Sequence, residues 1–477
     1  MKDTTYEPVI GLEVHAQLKT QSKIFCGCST KFDAKENEFT CPVCTGMPGC
    51  LPVLNKKAVE FSVKMALATH CQVNERSIFA RKNYFYPDLP KGYQISQYDQ
   101  PLAQKGHVEI QVDGQTKKIR LHRIHMEEDA GKNIHGTISS YVNLNRAGIP
   151  LIEIVSEPDV RSSQEAGAYL RELRSMLRYL EVCDGNMEEG SFRCDVNVSV
   201  KPIEQKEFGT RCEVKNINSF RFVEKAIEYE IQRQIEVLEG GAKVIQETRL
   251  WDSDQNKTFS MRSKEEAHDY RYFPEPDLLP LRVAPAWVEE IKRTLPELAK
   301  QKKERFMKMY QLSSYDASLL VQEKSLAQYF ESVIEICKEP KLASNWILSE
   351  LLREFGPEQG ATSPVTPQHL GELLALIVKG TISGKIAKQI FEKMVQTGQA
   401  PQAIVQKEGL IQVSDVAQIE AWVEEVLKEQ KAFVDKYHAG QTKLFGFFVG
   451  EVMKKSHGKA NPAKVNETLK KKLVKGA

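Results

Sequence analysis

Apolar and polar residues alternate along many short segments before about residue 285, and this period of two predicts β-strands. In residues 9–18 the even positions are apolar, whereas Glu13 and His15 fall on the opposite face. Residues 193–200 repeat the design, with Arg193 on the polar face. A third polar row consists of Arg211, Glu213 and Lys215. Strand faces with such mixed charges indicate the lining of a functional site rather than an ordinary solvent-exposed surface.

Helical spacing of apolar residues dominates the chain after residue 285. Within the strand-rich part we expect one helix that starts at Ser162 or Ser163 and runs to about residue 180, and a second over residues 222–238. The remaining expected elements are helices near 286–311 and 325–355, a loop or linker at 356–367, and short helices that begin at Thr366, Ser383, Ser414 and Asn461. This order of elements predicts the α+β fold class.

Three domains are expected in the 477 residues. The strand-rich part predicts a large first domain over residues 1–292. A helical domain over residues 293–405 and a small helical tail domain over residues 406–477 follow it.

The charge of the chain is nearly balanced, because 66 Lys and Arg residues stand against 64 Asp and Glu residues. This balance excludes a uniformly basic nucleic-acid binder but allows a basic patch on one domain. Residues 443–477 carry such a patch, with nine lysines and two glutamates. The lysines that we expect to contact nucleic-acid phosphates are Lys454, Lys455, Lys459, Lys464, Lys470, Lys471 and Lys472. The alternative is a solvated helical face.

The N-terminal segment lacks the apolar stretch of a secretory signal, and no apolar run is long enough to span a bilayer. We therefore expect a cytoplasmic protein without a membrane partner. Ten cysteines in a reducing compartment are expected to serve as metal ligands or core residues rather than disulfides.

Four cysteines form two close pairs, and their spacing predicts a structural zinc site. Cys26 and Cys28 are separated by one residue, and Cys41 and Cys44 by two. Tetrahedral zinc takes four such thiolates, and a site filled by protein ligands has no open position for catalysis. The alternative is a set of scattered core cysteines. The remaining cysteines, expected to be apolar core residues, are Cys50, Cys71, Cys183, Cys194, Cys212 and Cys337.

Several carboxylates fall in apolar or glycine-rich surroundings: Glu13, Glu127, Glu128, Asp129, Glu153, Glu188 and Glu189. A buried carboxylate needs a cation, and Mg²⁺ bound together with ATP phosphates would supply one. The alternative is that each glutamate pairs with an arginine such as Arg146 or Arg193. The sequence contains neither a P-loop nor a Rossmann glycine motif, so an ATP site would belong to another fold.

Long ordered motifs resemble the B subunit (GatB) of the bacterial tRNA-dependent amidotransferases. They are Gly11-Leu-Glu-Val-His15, Arg81-Lys-Asn-Tyr-Phe-Tyr-Pro-Asp88, His125-Met-Glu-Glu-Asp-Ala-Gly131, Pro150-Leu-Ile-Glu-Ile-Val-Ser-Glu-Pro-Asp159 and Met187-Glu-Glu-Gly-Ser191. The resemblance implies a first domain with an antiparallel, glutamine-synthetase-like cradle fold. It also implies ATP-dependent amidation of Glu-tRNA(Gln), Asp-tRNA(Asn) or both. A partner amidase, the A subunit, would release the ammonia from glutamine, and a small C subunit would complete a heterotrimer.

The resemblance further implies the roles of individual residues. The matching Mg²⁺ positions are Glu13, His15, Glu128 and Glu153, which together with Glu189 are the expected catalytic residues. The resemblance also places Glu189, Ser191 and Arg193 near the nucleotide. Lys82 and Lys215 are expected there as candidate cations for its phosphates, on the residues alone. Two alternatives stay open from the residues alone: a self-contained carboxylate–amine ligase that uses free ammonia, and a non-enzymatic zinc-containing scaffold that binds tRNA.

Overall fold

The computed structural model describes residues 5–263, 270–359, 362–410, 416–456 and 460–474. The chain divides into two compact units, Met1–Leu298 and Ala299–Ala477. The expected helix start at Ser414 and the expected tRNA contact at Lys459 lie outside the described residues.

The first unit contains sixteen described strands and four described helices. The strands are β1 (Tyr6–Gln17), β2 (Gln72–Val73), β3 (Arg76–Ser77), β4 (Ala80–Asn83), β5 (Tyr93–Ser96), β6 (Ala103–Val112), β7 (Gln115–Glu128), β8 (Lys132–His135), β9 (Ser140–Asn143), β10 (Pro150–Ser156), β11 (Phe192–Pro202), β12 (Cys212–Lys215), β13 (Glu247–Asp252), β14 (Lys257–Ser263), β15 (Phe273–Pro274) and β16 (Leu281–Arg282). The helices are α1 (Lys56–Ala68), α2 (Ser163–Tyr179), α3 (Phe220–Glu239) and α4 (Pro285–Arg293).

Nine strands form one large sheet in the order β14-β13-β12-β11-β1-β10-β7-β6-β2. Neighbouring strands run antiparallel except β12 and β13, which are parallel. The two strands expected at residues 9–18 and 193–200 are confirmed as β1 and β11, which lie side by side. Three small sheets, β15-β4-β5, β16-β3 and β8-β9, complete the set of described strands.

Helices α1, α2 and α3 cover the apolar face of this sheet. Ile10, Leu12 and Val14 of β1 are buried in one cluster with Leu173 of α2 and Val223 of α3. The apolar half of each alternating strand therefore forms the core, and its polar half lies on the other face of the sheet.

The expected helix starts are set by side-chain caps. The Ser162 hydroxyl accepts a hydrogen bond from the Glu165 backbone N–H at 3.1 Å, which begins α2 at Ser163. Ser219 does the same for the Phe222 N–H at 3.2 Å, so α3 begins two residues before the predicted position. Both helices are otherwise where the sequence placed them.

The second unit is helical among its described residues. Its α-helices are α5 (Ala299–Tyr310), α6 (Ser314–Leu320), α7 (Lys324–Cys337), α8 (Pro340–Trp346), α9 (Leu352–Gln359), α10 (Pro367–Val378), α11 (Gly384–Thr397), α12 (Pro401–Glu408), α13 (Val416–Glu429), α14 (Lys431–His438), α15 (Phe445–Lys455) and α16 (Pro462–Leu473), with a π-helical segment at Ile347–Leu351 and a 3-10 turn at Thr442–Leu444. The starts expected at Thr366, Ser383 and Asn461 are confirmed, because each side chain caps its helix.

Three expected elements beyond residue 285 differ in the structure. The helix over 286–311 is divided into α4 and α5, because Pro296 lies between them and lacks an N–H group. The helix over 325–355 is interrupted at Lys338, whose φ of 59° ends α7 before α8 starts at Pro340. Residues 356–359 belong to α9 rather than a loop, with a break at Gly356.

Two separate apolar clusters hold the second unit together. One lies between residues 306 and 405, and the other lies between residues 419 and 473. No helix in the described part of the chain is long and apolar enough to cross a membrane.

Gly106 of β6 provides a stability test, because a Cβ atom there would lie 2.2 Å from the Cys71 sulfur and 2.6 Å from the Thr69 carbonyl oxygen. We expect Gly106→Ala to lower the free energy of unfolding of the first unit by about 1–3 kcal/mol, because the backbone oxygen cannot move away freely. Gly11→Ala in β1 is the matched control, since its nearest contact would be 3.9 Å. Denaturant unfolding of both variants measures the difference, and equal stabilities would contradict the packing argument.

Candidate active site and cysteine cluster

A row of charged side chains crosses the polar face of the large sheet. The strand register places His15 of β1 opposite Glu153 of β10 and also opposite Arg193 of β11. Glu153 in turn lies opposite His125 of β7. Four neighbouring strands thus contribute one charged or titratable side chain each at the same level of the sheet.

Two histidines and two glutamates meet in this row. The Nε2 atom of His15 lies 3.5 Å from a Glu153 oxygen and 3.6 Å from a Glu127 oxygen, and His125 Nε2 lies 3.2 Å from Glu153. His125 is 2% exposed, and its Nδ1 atom has no hydrogen-bond partner among the described residues. The cluster is therefore a compact group of nitrogen and oxygen donors.

The charges of this cluster stabilise one another. Burial lowers the pKa of His15, but Glu153 and Glu127 outweigh this effect and raise the pKa to about 9. Burial raises the pKa of Glu153, whereas the two histidines hold it well below its usual range. His15 is thus a cation and Glu153 an anion at neutral pH when no metal ion is bound.

His15, Glu127 and Glu153 could hold a metal ion, since one donor atom from each lies within 4.8 Å of the others. Carboxylate oxygens with one imidazole nitrogen suit Mg²⁺ or Mn²⁺. Glu128, which the family resemblance implies as a ligand, lies apart from this group. Its carboxylate pairs with Lys91 and accepts a hydrogen bond from the Ile95 N–H at 2.8 Å.

Glu13 belongs to a second polar group beside the first. Its carboxylate accepts a hydrogen bond of 2.9 Å from the Asn197 side-chain amide. Burial, followed by the negative charge of Glu153, raises the pKa of Glu13. The neighbouring Asp195 pairs with Lys215 at 2.6 Å. Glu13 and Lys215 are therefore on the same polar face as His15, as the sequence predicted.

The cavity beside Glu13 has a volume of about 550 Å³. Asn197 and Ser199 of β11 line it, together with Phe208 and Arg211 from the segment before β12. The side-chain oxygen of Asn197 is buried and has no hydrogen-bond partner among the described residues. The cavity is large enough for a small organic group next to the carboxylates.

Arg193 and Arg146, which were alternative partners for the buried glutamates, both face Asp129 instead. A guanidinium nitrogen of Arg193 lies 2.9 Å from Asp129, and Arg146 lies 3.6 Å from the same carboxylate. Gln17 also donates to Asp129 at 2.7 Å. The alternative in which an arginine neutralises Glu153 is thus wrong, because histidines occupy that position.

Lys82 of β4 lies near the carboxylate cluster among aromatic side chains. Its Nζ atom is 4.8 Å from the centre of the Tyr270 ring and 5.9 Å from that of Tyr84. Burial lowers the pKa of Lys82, but the fields of Tyr272, Glu127 and Glu153 outweigh it and raise the pKa above its usual value. Lys82 is therefore a charged lysine that interacts electrostatically with Glu127 and Glu153.

Glu189 and Ser191 lie in the turn that precedes β11. Ser191 is buried, and its hydroxyl bonds to the Asp184 carboxylate and to the Asn186 carbonyl oxygen. Glu189 is exposed, and its backbone N–H donates to the Asn186 side chain at 3.3 Å. The Ser191 carbonyl oxygen also accepts a hydrogen bond from the Gln17 N–H of β1 at 2.8 Å, which joins the turn to the large sheet. The predicted roles of Glu189 and Ser191 at the nucleotide stay predictions.

The four predicted zinc ligands, Cys26, Cys28, Cys41 and Cys44, come together in the structure. Their sulfur atoms all lie within 4.8 Å of one another. The Cys41 backbone N–H points at the Cys44 sulfur at 3.2 Å, which is a typical support for a bound thiolate. A hydrogen bond from Cys26 and the nearby charge of Lys23 lower the pKa of Cys44 to about 4. This donor set fits a tetrahedral zinc ion.

The other six cysteines follow the prediction with one exception. Those that are buried are Cys71, Cys183, Cys194, Cys212 and Cys337. Cys50 is exposed, so the expectation that it fills the core is wrong. Its position in the loop after Cys44 keeps it outside the apolar cluster of the sheet.

A second cavity, of about 100 Å³, lies between the cysteine cluster and Glu128. Its walls include Cys26 and Cys44 on one side and Lys91 and Glu128 on the other. The cysteine cluster and the Lys91–Glu128 pair are therefore neighbours within the first unit.

Three of the six described lysines that were predicted to contact tRNA are already paired with carboxylates. Lys455 lies 2.6 Å from Glu429, Lys471 lies 2.8 Å from Glu467, and Lys472 lies 2.6 Å from Glu424. Two of these glutamates belong to α13, so the acidic helix offsets part of the basic charge of the C-terminus. The other three of these six, Lys454, Lys464 and Lys470, have no ion pair among the described residues.

Sequence reasoning missed His125, and it named Glu127 among the carboxylates that need a cation without assigning it as a metal ligand. The signal was present, because His125 and Glu127 are two residues apart and share one face of a strand, whereas Glu128 falls on the other face. Lys91 was also missed, and Asp129 was named without its partners Arg146 and Arg193, because these contacts join residues distant in the sequence.

Comparison with known proteins agrees with this architecture. Residues 8–289 match the family described as the GatB/GatE catalytic domain, and residues 328–473 match the family described as the GatB domain. The first unit is thus a catalytic domain of the GatB/GatE class.

Similarity to individual proteins extends over the whole chain. The B subunit of aspartyl/glutamyl-tRNA(Asn/Gln) amidotransferase from Geotalea daltonii is 58% identical over 475 residues, which cover 98% of this chain and 99% of that protein. The proteins of the same name from Persephonella marina and Thermodesulfovibrio yellowstonii are 56% and 58% identical, with the same coverage of 98% and 99%. This chain belongs to the GatB family, the B subunits of tRNA-dependent amidotransferases.

The geometry predicts which of the adjacent glutamates binds a divalent ion. We expect Glu127→Gln to weaken Mn²⁺ binding by about tenfold or more, because it removes a charged oxygen ligand of the His15–Glu153 cluster. Glu128→Gln is the matched control and should change the affinity little, since that carboxylate faces Lys91. Mn²⁺ titration followed by electron paramagnetic resonance measures both variants. The opposite ranking would show that Glu128 is the ligand, as the family resemblance implies.

Proposed function

We propose that this chain activates the side-chain carboxyl of misacylated Glu-tRNA(Gln), Asp-tRNA(Asn) or both with ATP, and directs its amidation to Gln-tRNA(Gln) or Asn-tRNA(Asn). The observation that carries the proposal is the cluster of buried Glu127 with half-buried His15 and Glu153, within a domain of the GatB/GatE class. Identity of 56–58% over nearly the full length of GatB proteins supports the same activity.

The chemistry explains why such a cluster is needed. A carboxylate resists attack by ammonia because its charge is delocalised and oxide is a poor leaving group, whereas an acyl phosphate offers a good leaving group. Transfer of the phosphoryl group brings several negative charges together. Mg²⁺ would supply the charge that neutralises the phosphate oxygens.

In this proposal His15, Glu127 and Glu153 hold Mg²⁺. Glu13, two residues before His15 on β1, adds a further carboxylate to the same face of the sheet. Glu128, which the family resemblance implies as a further ligand, pairs with Lys91 and is left out of this proposed set. The cations proposed to lie near the phosphates are Lys82, Arg193 and Lys215, of which Arg193 and Lys215 also pair with Asp129 and Asp195. Glu189 and Ser191 are proposed to lie at the edge of the nucleotide site.

The large sheet with its polar face supports the assignment of the first domain, residues 1–292, to the glutamine-synthetase-like cradle fold. In the same proposal residues 293–405 form the helical domain and residues 406–477 the tail that binds tRNA. The cysteine cluster holds a structural zinc ion. We place the reaction in the cytoplasm, because aminoacyl-tRNA is the proposed substrate.

Ammonia is proposed to come from the amidase partner, the A subunit, with the small C subunit in the same heterotrimer. The chain itself lacks the nucleophile motifs of hydrolases. A site that receives ammonia from a partner must exclude water, because water would hydrolyse the activated carboxyl group. Similarity over both family domains favours this role over a self-contained ligase or a tRNA-binding scaffold.

Replacement of His15 tests the proposed role of the cluster. We expect His15→Ala to reduce ATP-dependent amidation by about 100-fold or more, because loss of a metal ligand weakens charge neutralisation in the transition state. The measurement is conversion of each misacylated tRNA by the complete heterotrimer, with tRNA affinity measured in parallel.

The control for this experiment is His122→Ala. His122 lies on β7 near the cluster strands but is exposed and pairs with Glu157. We expect this variant to retain amidation, and both variants to bind tRNA normally. Full activity of His15→Ala would contradict the proposed metal site.

The unpaired tail lysines give a test of tRNA binding. We expect the combined change Lys454→Ala, Lys464→Ala and Lys470→Ala to weaken tRNA binding and to reduce the slope of log affinity against log salt by about 2–3. A filter-binding series at several salt concentrations measures this slope. The control removes the same charge from exposed lysines of the first unit, Lys206, Lys243 and Lys257. Equal slopes in the two variants would refute a specific role of the tail.

A further inference from the structure

Lys23 is a buried lysine beside the cysteine cluster, and its role is not explained by the proposed reaction. Its exposed fraction is 0%. Moving an ammonium group out of water costs on the order of several kcal/mol, unless an opposite charge and hydrogen bonds replace the water. The group that neutralises the Lys23 ammonium charge therefore indicates the role of Lys23.

Three acceptors surround the ammonium group of Lys23. Its Nζ atom lies 2.7 Å from the Phe39 carbonyl oxygen, 3.2 Å from the Leu144 carbonyl oxygen and 3.6 Å from the Cys44 sulfur. An ammonium group has three N–H donors, so this set is complete. The ion pairs formed by the described residues include no carboxylate partner for Lys23, and the two carbonyl oxygens are neutral. The Cys44 sulfur is thus the acceptor in this set that can carry a negative charge.

The negative charge of a zinc-bound cysteine cluster would be stabilised by a cation such as Lys23. Four thiolates carry more negative charge than one Zn²⁺ ion neutralises, and the excess is costly in a partly buried site. Hydrogen bonds from outside the ligand set reduce this excess and orient the ligands.

Packing fixes Lys23 in this position. Gly148 has a φ of 85°, and a Cβ atom there would lie 3.5 Å from both the Lys23 Cδ and the Cys44 Cβ atoms. The Ile24 N–H donates to the Gly148 carbonyl oxygen at 2.9 Å. The side chain of Lys23 is therefore enclosed between the cysteine loop and the segment that precedes β10.

We infer that Lys23 is a positioning residue of the zinc site. Its ammonium group donates a charge-assisted hydrogen bond to the Cys44 thiolate and offsets part of the excess negative charge. Its two carbonyl contacts join Phe39 of the cysteine loop to Leu144 before β10. The inference rests on the zinc site of the proposed function.

The test compares zinc binding by the full chain and by Lys23→Met, which keeps the length of the side chain but removes its charge. We expect zinc affinity, measured by competition with a chromogenic chelator, to fall by about 10–100-fold. Lys19→Met is the matched control, because Lys19 is an exposed lysine four residues away in the sequence. We expect its zinc affinity to equal that of the wild-type chain.

Cobalt substitution separates this role from a purely structural one. A cation near a thiolate lowers the energy of the sulfur electrons, so its loss shifts the sulfur-to-cobalt charge-transfer bands to longer wavelength. We expect this shift in Lys23→Met and not in Lys19→Met. Wild-type zinc affinity together with an unshifted cobalt spectrum in Lys23→Met would overturn the inference.

A measurement on the wild-type chain covers the case in which Lys23→Met does not fold. Acetylation of lysines, read by mass spectrometry, should spare Lys23 in the zinc-loaded chain and modify it after a chelator removes the zinc. Equal modification in both states would overturn the inference. A wild-type chain that takes up no zinc would refute the zinc assignment as well, whereas the amidation assay is independent of both.

Discussion

The alternation of side chains along β1 is the constraint on which both the core and the site depend. Leu12 and Val14 are buried under the helices, while Glu13 and His15 emerge on the opposite face of the sheet. A slip of one residue against β10 would exchange the two faces, removing the apolar contacts and the charged row together. Apolar burial on one face therefore holds the register that the chemistry on the other face requires.

Opposite charges keep the polar face intact. Glu153 is half-buried between two histidines, and opposite charges in the cluster stabilise one another. The cost of removing these groups from water is offset within the cluster, so the donor atoms are held close together. Such a preorganised set of donors suits a site in which phosphate charge must be neutralised.

The cysteine cluster packs beside the strands that carry these carboxylates. A Cβ atom at Gly46 in the cysteine loop would lie 2.6 Å from the Lys91 side chain, and Lys91 pairs with Glu128. Lys23 joins the loop to the segment before β10, the strand that carries Glu153. The proposed structural metal ion in this position would stabilise elements that border the carboxylates.

Local patterns in the sequence determined the α+β class, the two principal strands, most helix starts, the cysteine quartet and the presence of Glu13, His15 and Glu153 on polar strand faces. These features depend on periodicity, capping and spacing, which act over a few residues. Tertiary structure decided that His125 and Glu127 join the cluster, that Arg193 faces Asp129, and that tail lysines pair with α13. Those contacts join residues far apart in the chain, and strand register and packing, rather than local preference, determine which charges meet.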